Sequence, residues 1–468
     1  MLNRREFLKR TASLAAGASL LAGARRPAGA AAGPDAKPNI IYILADDLGY
    51  AHLGCYGQKD IRTPHLDRMA AEGMRFTDHY AGSALCAPSR CVLLTGLHTG
   101  HCFVRNNKPL PVEGNVPIPA DSQTIAKVLK AAGYATACIG KWGLGYPGSE
   151  GDPTRQGFDH FFGYNCQRQA HTYYPPHLWR NREKVILKGN VGTPKTDYSH
   201  DLLTAEALTF LRSVHKRPFF LYLPYTIPHA AFQVPEQGIY AGKPWTNTQK
   251  NIAAMISRMD RDVGRVLALL AELGVEKRTL VIFASDNGSA GGDLARKFKG
   301  SGPLRAQKGS LYEGGIRVPL IARWPGKVAP GSLSRHVSAF QDMMPTFAEL
   351  AGAALAKPTD GISMVPTLLG RGDQKQHPYL YWELKAGRAV RMGNWKAVRA
   401  KRDIELYDLR DDLSESTDVA ANHPDVVKRV RTIFDEAHTD SAFATWTYTG
   451  PMPAGASKPP KKRKSRKP

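Results

Sequence analysis

The stretch PNIIYILADD, residues 38–47, is a short run of apolar and β-branched residues that ends in two acids, Asp46 and Asp47. A continuous apolar run of this length predicts a strand that is buried on both faces, as in a parallel sheet. Three later runs have the same form and end in or lead to a polar group: GYATACIGKW (133–142) with Lys141, RPFFLYLPYTIPH (217–229) with His229, and RTLVIFASDNG (278–288) with Asp286 and Asn287.

Helical patterns alternate with these runs. Thr63, followed by a proline, is typical of an N-cap, and Asp121 is a candidate cap for the helix that ends before Gly133. Longer amphipathic patterns cover residues 200–214 and 248–273. The alternation predicts an α/β fold with a doubly wound, mostly parallel sheet flanked by helices. Ligands of such sheets bind beyond the carboxyl ends of the strands, so the polar groups named above should gather there.

The pattern changes after residue 371, which ends the predicted main domain, residues 38–371. The stretches HPYLYWEL, RAVRMGNWKAVRA and IELYDL are typical of short antiparallel strands, and HPDVVKRVRTIFDEAH is typical of a closing helix. Residues 372–445 are therefore predicted to form a smaller C-terminal α+β subdomain with an antiparallel sheet. Residues 446–468 are rich in Pro, Gly and Lys and predict a basic, disordered tail.

The first 31 residues have the pattern of a twin-arginine signal peptide. Arg4 and Arg5 precede an apolar run from Ala12 to Ala24, and small residues near Ala28 offer a cleavage site. The alternative is a basic, frayed terminus. We predict export by the twin-arginine route, to the periplasm or beyond the cell. The apolar run is too short to span a bilayer, so no membrane span is predicted after signal removal.

The chain is strongly basic, with a formal net charge of +23. Residues 1–26 and 458–468 hold much of the excess, and about +11 remains on the body of the chain. A basic body attracts anionic substrates. Charge alone also suggests nucleic acid, but no nucleic-acid module is recognisable and the basic tail is separable, so no nucleic-acid partner is predicted.

Two pairs of oxygen-bearing side chains follow two similar strands: Asp46 with Asp47, and Asp286 with Asn287. Ca²⁺ and Mg²⁺ prefer such hard ligands, whereas zinc usually takes His or Cys. One carboxylate at a strand end could instead cap a helix. Two pairs in equivalent places indicate a metal site.

The stretch SALCAPSRCVLLTG, residues 83–96, places a cysteine, a proline and an arginine where a loop becomes a helix. Cys86 could be a buried small hydrophobe, half of a disulfide, a metal ligand or the site of the chemistry. No C-x-x-C pair exists among the six cysteines, which argues against a zinc ribbon or a thioredoxin-like site. The other five are expected to be packing residues or disulfide partners: Cys55, Cys91, Cys102, Cys138 and Cys166.

The motif C-x-P-S-R followed by L-x-T-G closely resembles the signature of type I sulfatases, the formylglycine-dependent, arylsulfatase-like branch of the alkaline phosphatase superfamily. Its residues here are Cys86, Pro88, Ser89, Arg90, Leu93, Thr95 and Gly96. The stretches DDLGY, GYATACIGKW, SDNG, KGSLYEGGIRVP and ELYDLRDDLSE extend the resemblance from about residue 38 to residue 440.

The resemblance implies that Cys86 is oxidised to formylglycine by a formylglycine-generating enzyme. The aldehyde adds water, one hydroxyl attacks sulfur, and the other later loses its proton and expels sulfate. One Ca²⁺, in preference to Mg²⁺, would be held by the hydrated residue 86 together with Asp46, Asp47, Asp286 and Asn287.

The resemblance also gives roles to four further side chains. Arg90 would stabilise the nucleophile, and Lys141 and Lys308 would hold the sulfate oxygens. His229 would protonate the leaving alcohol or bind near it. Judged alone, Lys308 could be an ordinary surface lysine and His229 a packed core histidine. Residue 86 would begin a helix, whose dipole favours an anion.

One position departs from the family pattern. The family often has histidine two residues after the lysine, and this chain has Gly143 there. That histidine is thought to assist the elimination, so its base is left open. His171, in QRQAHTYYPPH, is a candidate substitute and could equally be a substrate contact.

The expected activity is hydrolysis of a sulfate monoester, and the export signal and basic body favour a sulfated carbohydrate. Two alternatives stay open: a phosphonate or phosphate ester hydrolase of the same superfamily, and a non-catalytic sulfoglycan-binding protein whose Cys86 is not converted. The sequence lacks a His-rich second metal site, which disfavours the two-zinc phosphatase design.

Overall fold

The computed structural model describes residues 37–193, 195–399 and 403–449. The predicted signal peptide, residues 1–31, and residues 450–468 of the predicted tail lie outside these ranges. The strands of the described residues are β1 (Asn39–Ala45), β2 (Met74–Phe76), β3 (His79–Tyr80), β4 (Ala135–Lys141), β5 (His160–Tyr164), β6 (His177–Arg180), β7 (Glu183–Ile186), β8 (Phe219–Pro224), β9 (Thr279–Ser285), β10 (Leu320–Arg323), β11 (Ser332–Ser334), β12 (Ser338–Ala339), β13 (Leu380–Leu384), β14 (Gly387–Met392), β15 (Trp395–Arg399) and β16 (Glu405–Asp408). The α-helices are α1 (Pro64–Ala71), α2 (Cys86–Thr95), α3 (Ile125–Ala131), α4 (Ser199–Val214), α5 (Asn247–Glu272), α6 (Asp293–Arg296), α7 (Glu313–Ile316), α8 (Met343–Ala351), α9 (Val365–Leu369) and α10 (Pro424–Glu436).

The main sheet has ten strands in the order β11-β2-β10-β9-β1-β8-β4-β5-β6-β7. The five strands from β9 to β5 run parallel, whereas β10, β6 and β7 pair antiparallel with their neighbours. The predicted doubly wound, mostly parallel sheet is therefore confirmed, with antiparallel strands on both sides of its centre. The four predicted apolar runs are β1, β4, β8 and β9, which lie side by side with β1 between β8 and β9.

Both faces of the central strand are buried, as its continuous apolar sequence predicts. Ile41 and Ile43 of β1 pack in one core with helices α1, α4 and α5. Ile40 and Tyr42 point the other way, into a second core with α2, α3 and α8. Full burial of each such side chain stabilises the fold by about 1.5–3 kcal/mol. Because helices cover both faces, the strand ends are where polar groups can face a ligand.

The helix boundaries agree with the sequence patterns except at one cap. Helix α1 begins directly after Thr63, and α4 and α5 lie within one residue of their predicted starts. The prediction that Asp121 caps α3 is wrong, because Thr124 is the N-cap and its hydroxyl accepts from the Lys127 N–H. Asp121 is instead exposed and forms an ion pair with Lys357 at 2.8 Å.

The C-terminal strands form a separate antiparallel sheet in the order β13-β14-β15-β16, as predicted. Helix α10 covers one face through Val430 and Phe434. On the other face Trp382 packs against Tyr80 of the main part of the chain, with ring centroids 5.2 Å apart. The small sheet therefore has two covered faces.

Two aromatic residues at the start of the predicted tail contact the main core. Trp446 and Tyr448 are partly buried against it. The Lys108 Nζ donates to the Trp446 carbonyl at 2.6 Å.

Within the described ranges, no helix is long and apolar enough to cross a membrane. All six cysteines fall in these ranges and are free thiols, and all but Cys55 are buried.

Candidate active site

The polar groups predicted at the strand ends meet at one edge of the main sheet. Asp46 and Asp47 follow β1, Lys141 is the last residue of β4, and Asp286 and Asn287 follow β9. The parallel order β9-β1-β8-β4 directs the carboxyl ends of these strands to the same side.

Cys86 is the first residue of α2 and lies among these groups, with 1% of its surface exposed. Its thiol donates to the Asp46 Oδ1 at 3.3 Å, and its Sγ accepts from the Lys308 Nζ at 3.4 Å. Burial, and then the charges of Asp286 and Asp46, raise the pKa of the Cys86 thiol well above its usual range. The thiol is therefore neutral at ordinary pH, and a neutral thiol is a poor nucleophile.

Asp46 is held by two buried cations. The Lys141 Nζ donates to the Asp46 Oδ2 at 2.5 Å, and the Arg90 Nη2 lies 3.7 Å from the same oxygen. Burial alone would raise the pKa of Asp46, but the permanent charges of Lys141, Arg90 and Lys308, and that of His229 where it is protonated, outweigh it and hold that pKa well below its usual range. Asp46 is therefore a permanent anion in this site.

Arg90 connects helix α2 to the end of β9. Its Nε and Nη2 donate to the Asp286 Oδ2 at 3.1 and 2.7 Å, and its Nη1 donates to the Lys141 carbonyl at 2.8 Å. Burial, and then the charge of Asp46, raise the pKa of Asp286 to about 6. Arg90 follows Cys86 by four residues, one helical turn, so both side chains face the same region.

Asp47 has a positive φ of 68°, a conformation that is uncommon for a residue with a side chain. The Lys308 Nζ lies 2.6 Å from its Oδ1, and the Asn287 Nδ2 donates to that oxygen at 2.8 Å. The backbone N–H of Asp47 donates to the Asp286 Oδ1 at 3.1 Å. The turn after β1 is therefore fixed by contacts from β9 and from the Lys308 loop.

The oxygen ligands of this cluster fit a hard cation. Asp46, Asp47 and Asp286 bring three carboxyl groups together, and the buried Asn287 Oδ1 has no hydrogen-bond partner in the described part of the chain. A buried polar atom without a partner is costly, and a bound ion supplies one. The geometry agrees, because ligand atoms of Asp46, Asp47, Cys86 and His229 lie within 4.8 Å of one another.

A second cluster is less suited to a metal. His98, His101 and Asp360 also bring ligand atoms within 4.8 Å. However, the His98 Nδ1 accepts from the Gly100 N–H at 3.1 Å, so the neutral ring carries its proton on Nε2, which faces Asp360. His101 bonds both Asp360 oxygens, at 2.9 and 3.0 Å. We interpret this group as a structural hydrogen-bonded cluster.

A cavity of about 390 Å³ reaches Cys86 and is also lined by Lys308, His171 and His229. The two histidine rings stack with centroids 4.5 Å apart. Burial, and then the neighbouring His229, lower the pKa of His171 to about 4, and burial also lowers the pKa of His229. Both rings are therefore neutral near pH 7. The His229 Nε2 lies 3.6 Å from the Asp47 Oδ2.

Four polar residues of this cavity were missed by the sequence analysis: Asn107, Asn115, Gln167 and Arg168. Asn107 Oδ1 accepts from the Ala87 N–H at the start of α2, and Asn115 Oδ1 accepts from the Gln167 N–H. All four lie in loops and belong to no motif. The local signal is weak: residues 105–107 and 165–168 are mostly polar and lie outside helices and strands, and Asn115 belongs to neither stretch.

Family models match most of the chain. Residues 38–353 match the model of the Sulfatase family, and residues 306–439 match that of the N-sulphoglucosamine sulphohydrolase C-terminal region. The chain belongs to the sulfatase family. It is a sulfatase, an enzyme whose class of reaction is the hydrolysis of sulfate esters. The resemblance seen in the sequence is thereby confirmed.

Curated relatives of this sulfatase are similar over most of their length. N-acetylgalactosamine-6-sulfatase of Rattus norvegicus is 36% identical over 392 residues, which cover 78% of this chain and 72% of that protein. Arylsulfatase A of Homo sapiens is 36% identical over 389 residues, which cover 77% of this chain and 74% of that protein.

Two solved structures share the fold. The crystal structure of Ps i-CgsB in complex with k-i-k-neocarrahexaose has a TM-score of 0.75 and 32% identity, covering 86% of this chain and 93% of that one. The phosphonate monoester hydrolase of Agrobacterium radiobacter has a TM-score of 0.62 at 21% identity, covering 86% and 96%. At that identity the second likeness concerns the fold alone.

Proposed function

We propose that this sulfatase removes sulfate from a sulfated carbohydrate, with a formylglycine made from Cys86 and one bound Ca²⁺. The observation that carries the proposal is the position of Cys86, whose Sγ lies 3.3 Å from Asp46 and 3.4 Å from Lys308 at the bottom of a cavity. Residue 86, which would react, thus lies beside a carboxylate that can bind a cation and an ammonium group that can bind an anion.

The state of the thiol supports modification of Cys86. Its pKa is raised by burial and by neighbouring carboxylates, the opposite of what a thiolate nucleophile needs. Once converted to formylglycine, residue 86 supplies a hydrated aldehyde whose hydroxyl can attack sulfur. Arg90, fixed by Asp286 and by the Lys141 carbonyl, places a permanent positive charge beside this residue.

The proposed calcium site rests on the carboxyl and amide oxygens of the cluster, because its charges alone already balance. Asp46, Asp47 and Asp286 are opposed by Arg90, Lys141 and Lys308. Asp46, Asp47, Asp286 and the free Oδ1 of Asn287 would hold the ion, which supplies positive charge to a sulfate oxygen and to the hydrated residue 86. The added charge gives the cavity an excess of positive charge that suits an anionic ester.

Two lysines and two histidines receive the remaining roles in the proposed reaction. Lys141 and Lys308 each bond a carboxylate that would hold the cation, and we assign to both ammonium groups the binding of sulfate oxygens. His229 and His171 form the stacked pair at the cavity wall. We assign proton donation to the leaving alcohol to His229, whose ring has to bind a proton first because its neutral form holds its hydrogen on Nδ1 against the Ala230 carbonyl. We hypothesise that His171 is the elimination base in place of the histidine missing at Gly143.

A carbohydrate substrate is supported by charge and by a relative. The cavity opens beside Arg168, which is exposed. The similar Ps i-CgsB is solved in complex with k-i-k-neocarrahexaose. We further propose that a formylglycine-generating enzyme matures the chain and that the twin-arginine signal exports it to the periplasm or beyond the cell.

Peptide mass spectrometry across residue 86, on protein from the native host, tests the nucleophile directly. We expect the mass that corresponds to replacement of the thiol by an aldehyde, together with sulfate release from sulfated oligosaccharides. An intact cysteine in folded, exported protein would favour a non-catalytic sulfoglycan-binding role. Faster hydrolysis of a matched aryl phosphate or phosphonate than of the aryl sulfate would favour the alternative function, a phosphate or phosphonate ester hydrolase.

A further inference from the structure

The side chain of Gln167 occupies the space that a side chain at position 143 would need. A Cβ built on Gly143 would lie 2.1 Å from the Gln167 Nε2 and 3.1 Å from its Cδ. Gly143 also has a positive φ of 83°, which favours glycine. The Gln167 carboxamide can therefore take this position only because residue 143 has no side chain.

The carboxamide of Gln167 is buried but not satisfied. Gln167 is 8% exposed, and neither its Nε2 nor its Oε1 has a hydrogen-bond partner in the described residues. Its backbone is fixed, because its N–H donates to the Asn115 Oδ1 at 2.9 Å. A buried amide without partners loses the hydrogen bonds that it makes in water, and a ligand can restore them.

The same residue lines the cavity that contains Cys86, Lys308 and both stacked histidines. An amide offers two N–H donors and cannot be deprotonated or protonated near neutral pH. In this position it can bond an oxygen of an anion but cannot serve as a general base.

We propose that Gln167 is a substrate-binding residue that donates a hydrogen bond from its Nε2 to a sulfate oxygen of the bound substrate. This inference rests on the proposed function, because it takes the Cys86 cavity as the sulfate ester site. Gln167 supplies a contact with the anion, and the proton transfer that the family histidine is thought to assist is left to a separate group. The position of the Gln167 carboxamide also explains why glycine stands at position 143.

The test compares Gln167→Met, Gln167→Glu and wild type in the presence of Ca²⁺. Methionine keeps much of the volume of the glutamine side chain but lacks its N–H donors. Glutamate keeps the shape of glutamine but adds a negative charge. We expect KM for a sulfate ester to rise about tenfold to a hundredfold in Gln167→Met, with a smaller change in kcat, because a hydrogen bond to a charged group is lost. KM should rise further in Gln167→Glu, because the carboxylate of the new side chain repels the anionic sulfate. Gln376→Glu, at an exposed position that does not line the cavity, is the matched control.

A double-mutant cycle supplies a second, independent measurement. Gly143→Ala should displace the carboxamide and raise KM in the wild-type background. In a Gln167→Ala background the strain of alanine at a positive φ remains but no carboxamide is displaced, so KM should rise by a smaller factor. Additive effects, or an unchanged KM in Gln167→Met, would overturn the inference and leave Gln167 as a space-filling residue.

Binding of inorganic sulfate to the same proteins separates this inference from the proposed function. We expect the Kd of sulfate to rise in Gln167→Met and Gln167→Glu by the same order as KM. If wild type binds sulfate but releases none from any ester, the proposed function fails while the Gln167 contact is still measured. If wild type is active and sulfate binds the variants equally well, the Gln167 inference alone fails.

Discussion

The ammonium group of Lys141 lies 2.5 Å from the Asp46 carboxylate, and both side chains are fully shielded from solvent. They come from β4 and from the end of β1, which are separated by β8 in the sheet. A buried ion pair costs desolvation on both sides, so this pair stabilises the site only while both partners are present.

Replacing Lys141 by methionine should lower the free energy of unfolding by about 3 kcal/mol, because Asp46 keeps its charge and loses its nearest partner. Urea denaturation measures the change. Lys357→Met is the control, since Lys357 pairs with Asp121 on the exposed surface and should change stability by less than about 1 kcal/mol. Equal losses in the two variants would contradict the role given to the buried pair.

Calcium should raise the Tm of the wild-type protein, because an ion that binds only the folded state stabilises it by about 2.7 kcal/mol at a hundredfold excess over Kd. Asn287→Leu should remove most of this rise, since it deletes the free Oδ1. Asn394→Leu, at an exposed turn, should leave the rise intact. Differential scanning calorimetry with and without a chelator makes the measurement, and a calcium response preserved in Asn287→Leu would argue against this ligand.

His171→Ala should reduce kcat by about a hundredfold if His171 is the elimination base. The neutral ring that burial produces in His171 can accept a proton, which is the state a base requires. Steady-state kinetics with an aryl sulfate separates the two interpretations of this residue. A change confined to KM would identify His171 as a substrate contact, and full turnover would exclude the base role.

Arg168→Ala should raise KM for a sulfated oligosaccharide about tenfold while changing KM for a small aryl sulfate by less than about twofold. The guanidinium is exposed at the cavity, so it can reach groups beyond the reacting sulfate but loses part of its energy to solvent screening. Arg155→Ala, exposed and outside the cavity, is the control. Equal effects on both substrates would mean that Arg168 acts on the reacting sulfate itself.

Stability should fall in acid partly because of His52. Its Nδ1 accepts from the Gly49 N–H and its Nε2 faces the Leu294 carbonyl, so only the neutral ring fits. Burial lowers the pKa of His52 from its ordinary value of 6.5 to about 4. The unfolded chain therefore binds the proton more readily, and a stabilisation of about 3 kcal/mol that is present above pH 6.5 is lost as the pH falls toward 4.

The variant His52→Gln tests this by removing the titrating group while keeping one donor and one acceptor. Urea unfolding at several pH values should give a shallower loss of stability between pH 6.5 and 4 than in wild type. An unchanged slope would assign the acid sensitivity to other groups.

The strand ends could be predicted from the sequence because β1, β4, β8 and β9 are apolar on both faces and each leads to a polar group. Period and composition identify such strands without any knowledge of their order. The antiparallel strands beside them are short or half-exposed, as in β7, where Glu183 and Lys184 face solvent. The prediction that Asp121 caps α3 failed because the first residue of a helix depends on tertiary contacts, here the bond from the Thr124 hydroxyl to the Gln156 carbonyl.

The charged part of the site was predictable because its residues follow strands or belong to motifs. Asn107, Asn115, Gln167 and Arg168 were not, because they reach the cavity from loops whose path no local pattern specifies. The departure at Gly143 was visible in the sequence. Its physical meaning became clear only when the Gln167 carboxamide was found in the same space.

The burial of Cys86 restricts when its proposed conversion to formylglycine can take place during folding. Small molecules can reach the residue through its cavity, but another enzyme cannot close its own catalytic groups around a side chain that is 1% exposed. Strand β9, which ends at Ser285, pairs directly with β1 and closes the sheet beneath the site. On the proposed function, conversion of Cys86 to formylglycine has to be finished during synthesis or before β9 pairs with β1, because a chain that folds first would keep the buried thiol and lack the aldehyde.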